Sequence, residues 1–147
     1  MNDEIKKIAE SVHRWALRHR SKFRNENKDR PDLFCMCGIA SWELFKRLKV
    51  AGYSPVVVIG LNHVFVKLNG YIVDITSKQF GMKAIEIRPI RKANTNKNDF
   101  WRPKHQITSK RGFAKASKWW SRNQIHPDIL KDLENYTKIW SPGKLFS

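Results

Sequence analysis

Cysteine and long hydrophobic runs are both scarce in this chain of 147 residues, and each scarcity excludes a class of protein. The only cysteines are Cys35 and Cys37, too few for the disulfide framework of a small secreted domain. The longest apolar stretches, such as residues 55–61, are far shorter than the roughly 20 residues that cross a bilayer. Residues 1–15 mix acids with lysines and contain no apolar core, unlike a secretory signal. We therefore expect a cytoplasmic protein without structural disulfides and without a membrane partner.

Acidic residues are also few, with 13 Asp and Glu against 29 Lys and Arg, for a net charge of +16. This balance favours an acidic partner, which could be a nucleic acid, an anionic surface or an acidic protein. The excess lies in residues 88–147, which carry 14 basic and 4 acidic side chains, whereas residues 32–87 carry 6 and 4. We expect the basic C-terminal region to recognise an acidic partner or substrate.

The apolar content is high enough for a folded core. Hydrophobic residues make up 41% of the chain and aromatic residues 12%, which rules out wholesale disorder. At this length we expect one domain, residues 1–147, of the α+β class, with helices packed on a small antiparallel sheet. Its parts are an N-terminal helix and loop (1–31), a core that carries the chemistry (33–81) and a basic, aromatic-rich C-terminal extension (88–147).

The helices are predicted from apolar residues at helical spacing. The first is expected over residues 2–20 and the second over residues 37–50, where Gly52 is a plausible C-terminal stop. One or two additional C-terminal helices are expected over residues 110–123 and 126–140.

The strands are predicted from β-branched runs and turn residues, over residues 54–60, 63–68, 71–75 and 86–90. Asn69 and Gly70 between the second and third segments are a strong hairpin signal. Pro89 indicates an edge strand, because proline has no N–H for a ladder hydrogen bond. Residues 91–109 are polar and predicted to be loop.

The hairpin predicts that His63 and Asp74 meet. With a two-residue turn at Asn69-Gly70, Leu68 pairs with Tyr71, and His63 and Asp74 fall on the same face as diagonal neighbours about 7–8 Å apart. A shift of one residue in this register would place them on opposite faces. A carboxylate hydrogen-bonded to one imidazole nitrogen fixes the tautomer and supports the other nitrogen as a base.

Cys37 is the candidate nucleophile, because it opens the second predicted helix. Backbone N–H groups and the helix dipole favour a thiolate there, and the same N–H groups could help to form an oxyanion hole. Singly, a cysteine on an apolar helix face is more often a buried hydrophobe, and a strand histidine is usually structural. Asp74 in an apolar strand needs a partner. Together, Cys37, His63 and Asp74 form a complete set of nucleophile, base and orienting group.

Two stretches, "CGIASWELFKRLKVAGYSPVVVIG" and "NHVFVKLNGYIVDITSKQFG", resemble the core of the transglutaminase-like branch of the papain-like cysteine fold. The resemblance covers roughly residues 33–81. Within the family, this stretch is most similar to small bacterial and bacteriophage proteins whose core ends in "DxTxxQF". Cys37 is preferred to Cys35 because its distance to Gly52 fits the family core. Phe65 stands where the family usually has tryptophan, and no residue matches the family's side-chain oxyanion donor. The residues that match the family's terminal motif are Asp74, Thr76, Gln79 and Phe80.

The resemblance implies cysteine-dependent acyl transfer or hydrolysis on a protein or peptide substrate. Peptidase, deamidase, amidase and transglutaminase activities all occur on this fold. We expect the activity of this protein to need no cofactor. The catalytic roles are carried to Cys37, His63 and Asp74, which we expect to face a shallow cleft. Cys35 is expected to be dispensable.

Three alternatives remain at this point. Cys35, Cys37, His63 and Asp74 are suitable zinc ligands, although a C-x-C spacing without a second cysteine pair is a weak signal. A Cys35–Cys37 disulfide would be strained. The third alternative is a nucleic-acid-binding or interaction protein with a catalytically silent core, because stretches such as "FWRPKH" and "KRGFAKASKWWSRN" interleave bases with aromatics. Trp119, Trp120 and Trp140 within this extension could instead be core anchors of its helices.

Overall fold

The computed structural model describes residues 2–23, 28–33, 36–60, 63–103, 105–109 and 111–112. These residues form an α+β fold in which two helices pack on one face of a five-stranded antiparallel sheet, so the predicted class is confirmed. The predicted C-terminal helices beyond residue 112, and Cys35, lie outside the described residues. The division of the chain into three parts stays a prediction.

Helix α1 spans Asp3–Phe23 and ends three residues later than predicted. Its first turn is capped by Asn2, whose Oδ1 accepts a hydrogen bond from the Ile5 N–H at 2.9 Å. The apolar stripe is buried, as its spacing predicts, at Ile5, Ala9, Val12, Trp15 and Ala16.

Helix α2 spans Cys37–Val50, as predicted. It ends in a Schellman arrangement, with the Gly52 N–H bonded to the Lys49 carbonyl and the Tyr53 N–H bonded to the Leu48 carbonyl. Gly52 has φ +96°, which a residue with a Cβ adopts only with strain. Arg47 links the helices by donating to Ser11 Oγ of α1 at 3.1 Å. No helix in the described residues is long and apolar enough to span a membrane.

The sheet has strand order β4-β3-β2-β1-β5. The β2–β3 hairpin has the predicted register, including Leu68 opposite Tyr71, and turns at Asn69 and Gly70 with φ of 52° and 79°. Strand β4 lies at an edge, as its proline indicates. The strands are β1 (Val56–Ile59), β2 (Val64–Leu68), β3 (Tyr71–Asp74), β4 (Glu86–Pro89) and β5 (His105–Ile107).

The prediction that residues 91–109 form a loop is wrong in part. Strand β5 lies within it and pairs with β1, with Val57 opposite Ile107 and Ile59 opposite His105. A strand of three residues is too short to produce a recognisable alternation in the sequence. Its position is set by pairing with β1, so the information lies in a distant segment.

The two faces of the sheet carry different clusters, as strand alternation requires. Residues such as Ile59, Val64 and Val66 pack against the helices. On the opposite face, Phe65 and Ile72 pack with Trp101. Trp101 comes from residues 90–103, which we call the segment after β4. Burying each large apolar side chain stabilises the fold by about 1.5–3 kcal/mol. The segment after β4 therefore serves as the second layer of the core.

Candidate functional site

The structure brings His63 and Asp74 into direct contact. His63 Nε2 lies 2.7 Å from Asp74 Oδ2, and both side chains are buried. His63 immediately precedes β2 and Asp74 ends β3, so the predicted hairpin register places them at the same end of the sheet. The prediction that this pair meets is confirmed.

The hydrogen bond assigns different roles to the two nitrogens of His63. The Asp74 carboxylate can only accept a hydrogen bond, so Nε2 of His63 carries the proton and donates it. Nδ1 is then the nitrogen that is available for proton exchange. Nδ1 is buried and has no hydrogen-bond partner among the described residues. A buried polar atom without a partner is unfavourable and uncommon, so it requires an explanation, and a catalytic role is one such explanation.

Asp74 accepts four hydrogen bonds. Oδ2 receives His63 Nε2 and the indole Nε1 of Trp101 at 2.8 Å, and Oδ1 receives the N–H of Thr76 at 2.9 Å and its Oγ1 at 3.3 Å. Burial by itself raises the pKa of the Asp74 carboxyl. The charge and hydrogen bond of His63, with the bonds from Trp101 and Thr76, outweigh it and hold the pKa below its ordinary value. Asp74 is therefore a buried carboxylate that stays ionised.

The residues after β3 support this pair. Thr76 supplies two donors to Asp74, and Gln79 donates from Nε2 to the Thr76 carbonyl at 3.0 Å. Phe80 packs edge-on against the His63 ring, with ring centroids 4.7 Å apart. Each matched position of the "DxTxxQF" stretch thus has a physical role in holding the pair.

An aromatic shell surrounds the imidazole. The Phe65 ring lies 6.0 Å from it at an interplanar angle of 23°, and the Phe100 ring lies 6.0 Å away at 82°. Together with Phe80, these rings limit the orientations of His63 and keep water from its faces. The imidazole is consequently held by packing as well as by Asp74.

Cys37 is the first residue of α2 and is buried. Met36 occupies the N-cap and gives no side-chain hydrogen bond to the first turn. One turn further along, Ser41 Oγ donates to the carbonyl of Val64, the residue after His63, at 3.0 Å. Cys37 lies four residues before Ser41 on the same helix face, so it lies about 6 Å along the axis from this contact. Cys37 packs in the cluster on the helix face of the sheet, whereas Phe65 and Trp101, which contact His63 and Asp74, pack in the cluster on the opposite face. Contact between Cys37 and His63 is therefore part of the proposal below.

The shallow cleft expected from the sequence is not seen at these side chains. Cys37 is 2% exposed, His63 0% and Asp74 1%. Phe80, by contrast, is 36% exposed while touching the His63 ring. Solvent therefore comes within one side chain of the imidazole but does not reach it.

Sequence reasoning missed Trp101 and Phe100 as parts of this site. The stretch "FWRPKH" is typical of a stacking surface for nucleic acid, but Trp101 is buried and cannot stack on a base. Trp15 and Trp42 are buried as well, while Trp119, Trp120 and Trp140 lie outside the described residues. The sequence does indicate that a buried Asp74 needs hydrogen-bond donors. It does not indicate which of the six tryptophans supplies one.

The zinc alternative has no support in the described part of the chain. There, no three His, Cys, Asp or Glu side chains are grouped to hold a metal ion. Both oxygens of Asp74 already accept two hydrogen bonds each.

Comparison with known proteins gives no family for the chain, since no family model, no curated protein and no solved structure matches it. The resemblance to the transglutaminase-like core therefore remains part of the proposal, and the site has to be judged on its own geometry.

Proposed function

We propose that this protein carries out cysteine-dependent acyl transfer or hydrolysis on a protein or peptide, with Cys37 as nucleophile, His63 as general base and acid, and Asp74 as the orienting group. One observation carries the proposal: His63 is held by Asp74 at Nε2, and its buried Nδ1 has no partner among the described residues. This is how an imidazole is held when it must exchange protons at one nitrogen.

The reaction follows from these positions. His63 Nδ1 takes the proton of the Cys37 thiol, and the sulfur attacks the carbonyl carbon of the substrate amide, moving the π electrons to oxygen. When the tetrahedral intermediate collapses, the C–N bond breaks and Nδ1 returns the proton to the leaving amine, which gives a thioester. Water or an amine then attacks the thioester with the same proton exchange and regenerates the thiol.

The start of α2 supports the charge changes in this scheme. The first N–H groups of a helix have no acceptor within the helix, and they point toward the N-terminal end, where Cys37 stands. They favour a thiolate and a developing oxyanion. The proposal requires Cys37 to reach His63 around the end of the sheet, because Cys37 packs on the face that carries α2, whereas Phe65 and Trp101, which contact the His63–Asp74 dyad, lie on the other face.

The order of elements supports a place in the transglutaminase-like branch of the papain-like fold. A helix opened by cysteine precedes an antiparallel hairpin with histidine at the entry of one strand and aspartate at the end of the next. In this order of elements the histidine and the aspartate have to meet. The contact between His63 and Asp74 meets this requirement.

Entry of a substrate requires a covering side chain to move, because Cys37 and His63 are buried. Phe80 is the exposed member of the aromatic shell, so its side of His63 is the shortest route from solvent. We propose that an acidic protein segment is the substrate, since the exposed bases Arg91, Lys92, Lys97 and Arg102 lie in the segment that covers the dyad's face of the sheet.

The test is the pH dependence of iodoacetamide alkylation, followed for each cysteine by peptide mass spectrometry. An ordinary thiol, with a pKa of about 8.5, reacts slowly at about pH 6. We expect Cys37 of the wild type to react there and to lose at least about tenfold in rate in His63→Ala and Asp74→Ala. Cys35→Ser is the matched control and should leave the rate at Cys37 unchanged. Alkylation of Cys35 alone, or an alkylation rate of Cys37 that is the same in the wild type and in His63→Ala, would overturn the assignment of Cys37 as nucleophile and His63 as base.

A further inference from the structure

The 3₁₀ turn Asp99–Trp101 touches both members of the dyad with consecutive residues. The Phe100 ring meets the His63 ring nearly at right angles, and Trp101 Nε1 donates to Asp74 Oδ2 at 2.8 Å. This turn is 25 residues beyond Asp74 in the sequence, so neither contact is a local consequence of the hairpin. Both depend on how the segment after β4 folds back over the sheet.

Trp101 differs from the other donors to the same oxygen. The His63 N–H and the Trp101 N–H share Oδ2, but an imidazole can exchange protons with a reacting group, whereas an indole cannot. The indole N–H is a permanent donor. When His63 is neutral and its charge no longer stabilises the carboxylate, Trp101 and Thr76 still do.

The position of Trp101 is closely determined. Its side chain is buried, and the Arg88 guanidinium lies 5.1 Å above its ring while also bonding Glu86 at 3.4 Å. Glu86 stands directly opposite Asp74 in the β3–β4 pairing. The charged and titratable neighbours that contacts identify around Asp74 and Trp101 are thus His63, Glu86 and Arg88.

Gly60 allows the backbone that follows the 3₁₀ turn Asp99–Trp101 to lie close to the end of β1, near His63. Its N–H bonds the His63 carbonyl at 2.9 Å, closing the connection between β1 and β2. A Cβ at this position would lie 2.9 Å from the Arg102 carbonyl oxygen, which is backbone and cannot rotate away. Only glycine at position 60 lets the Arg102 backbone, next to Trp101, lie this close to the end of β1.

We propose that Trp101 is a positioning residue, whose indole N–H holds the Asp74 carboxylate in the orientation that keeps a proton on His63 Nε2 and reserves Nδ1 for proton exchange. Its catalytic consequence rests on the function proposed above, but its effect on the dyad does not. A tryptophan with only a packing role would stabilise the fold without controlling which imidazole nitrogen is protonated.

The experiment uses Trp101→Phe, which removes the donor, and a second protein with 3-benzothienylalanine at position 101, which keeps the ring shape but replaces N–H by sulfur. Trp15→Phe is the matched control, because Trp15 is also buried but lies in α1, on the other side of the sheet. NMR of ¹⁵N-labelled histidine reports the His63 tautomer, and ¹³C-labelled aspartate reports the titration of Asp74. Alkylation of Cys37 is measured in the same proteins.

We expect the wild type and Trp15→Phe to show only the Nε2–H tautomer. Both proteins that lack the donor should show a fraction of Nδ1–H tautomer, a carboxyl titration at higher pH, and alkylation slower by roughly tenfold, the effect of one lost hydrogen bond to a charged group. An unchanged tautomer and titration in the benzothienyl protein would overturn the proposal, even if Trp101→Phe fails to fold.

The two proposals fail differently. The NMR measurements need no thiol and can be repeated in Cys37→Ala. If Cys37 proves unreactive in the wild type while the tautomer still depends on Trp101, the function proposed above fails and the positioning role stands.

Discussion

Phe80 and Phe100 stack face to face, with ring centroids 4.4 Å apart and 7° between their planes. They come from two separate 3₁₀ turns, Ser77–Phe80 and Asp99–Trp101, and each ring also meets His63 at nearly a right angle. The pair therefore closes the two turns over the imidazole, and the burial of His63 depends on both.

Phe80→Ala should open this closure. The ring is 36% exposed, so we expect the free energy of unfolding to fall by about 1–3 kcal/mol, less than for a fully buried phenylalanine. Urea unfolding measures this. Val50→Ala, at a side chain 78% exposed, should change it by less than about 0.5 kcal/mol. An equal effect of the two changes would mean that Phe80 does not hold the turns together.

The dyad was predictable from sequence because its register depends on local chemistry. Asn69 and Gly70 both adopt positive φ, which fixes a two-residue turn, and the turn then fixes every pair along β2 and β3. Helix α2 was predictable for a similar reason, since its apolar spacing and its stop at Gly52 are both local signals.

Strand β5 and the contacts of Trp101 were not predictable, because no local pattern encodes them. His105 to Ile107 becomes a strand only when β1 presents an open edge, and Trp101 finds Asp74 across 27 residues. The full burial of His63 could not be predicted for the same reason, because Phe100, which covers its ring, comes from the segment predicted as polar loop.

Asp74→Asn should lower both stability and thiol reactivity. The amide can accept at only one atom, so its NH₂ group must face donors on one side. We expect a loss of roughly 3 kcal/mol in the free energy of unfolding, because buried donors lose their charged acceptor. Cys37 alkylation at about pH 6 should fall by at least tenfold, because His63 is no longer held as the Nε2–H tautomer. Wild-type alkylation in a destabilised Asn variant would assign Asp74 to folding alone.

The depressed pKa of Asp74 predicts a specific acid response. In the folded state the pKa lies below its ordinary 3.8, so between the folded pKa and 3.8 the unfolded chain binds more protons than the folded one. This contribution to stability is complete above about pH 3.8 and is lost as the pH falls through the folded value. Urea unfolding at about pH 5, 4 and 3 measures it.

The matched comparison for the acid response is Asp74→Asn, which has no carboxyl to protonate. Its stability should fall less than that of the wild type between about pH 4 and pH 3. Parallel losses in the two proteins over this range would show that other carboxylates govern acid unfolding.

Gly60→Ala should disturb the dyad through the backbone. The added Cβ would meet the Arg102 carbonyl oxygen at 2.9 Å, and either the β1–β2 connection or the segment that carries Trp101 must move. We expect a loss of about 1–3 kcal/mol in unfolding free energy, as for other overpacked sites, and slower alkylation of Cys37. Gly52→Ala is the control, because it has open space but a positive φ. It should cost about 1 kcal/mol and leave the thiol rate unchanged.

The exposed bases of the segment after β4 predict salt-sensitive binding to an acidic protein segment. A fluorescent glutamate-rich peptide should bind the wild type at about 50 mM salt and lose most of its affinity by about 500 mM, because exposed charges are screened beyond the Debye length. Arg91→Gln combined with Lys92→Gln should weaken binding several-fold, since both side chains are exposed beside the dyad's face of the sheet. Cys37→Ala should leave the affinity unchanged.

The control for location is Lys7→Gln combined with Lys49→Gln, which removes the same charge from exposed positions on α1 and α2. A general effect of the +16 net charge would make the two double variants equivalent. Weaker binding only in the Arg91 and Lys92 variant places the acidic segment beside the dyad, where a substrate is needed. If single-stranded DNA binds more tightly than the peptide, with a steeper dependence on salt, the basic region is a nucleic-acid surface and the acidic-substrate proposal fails.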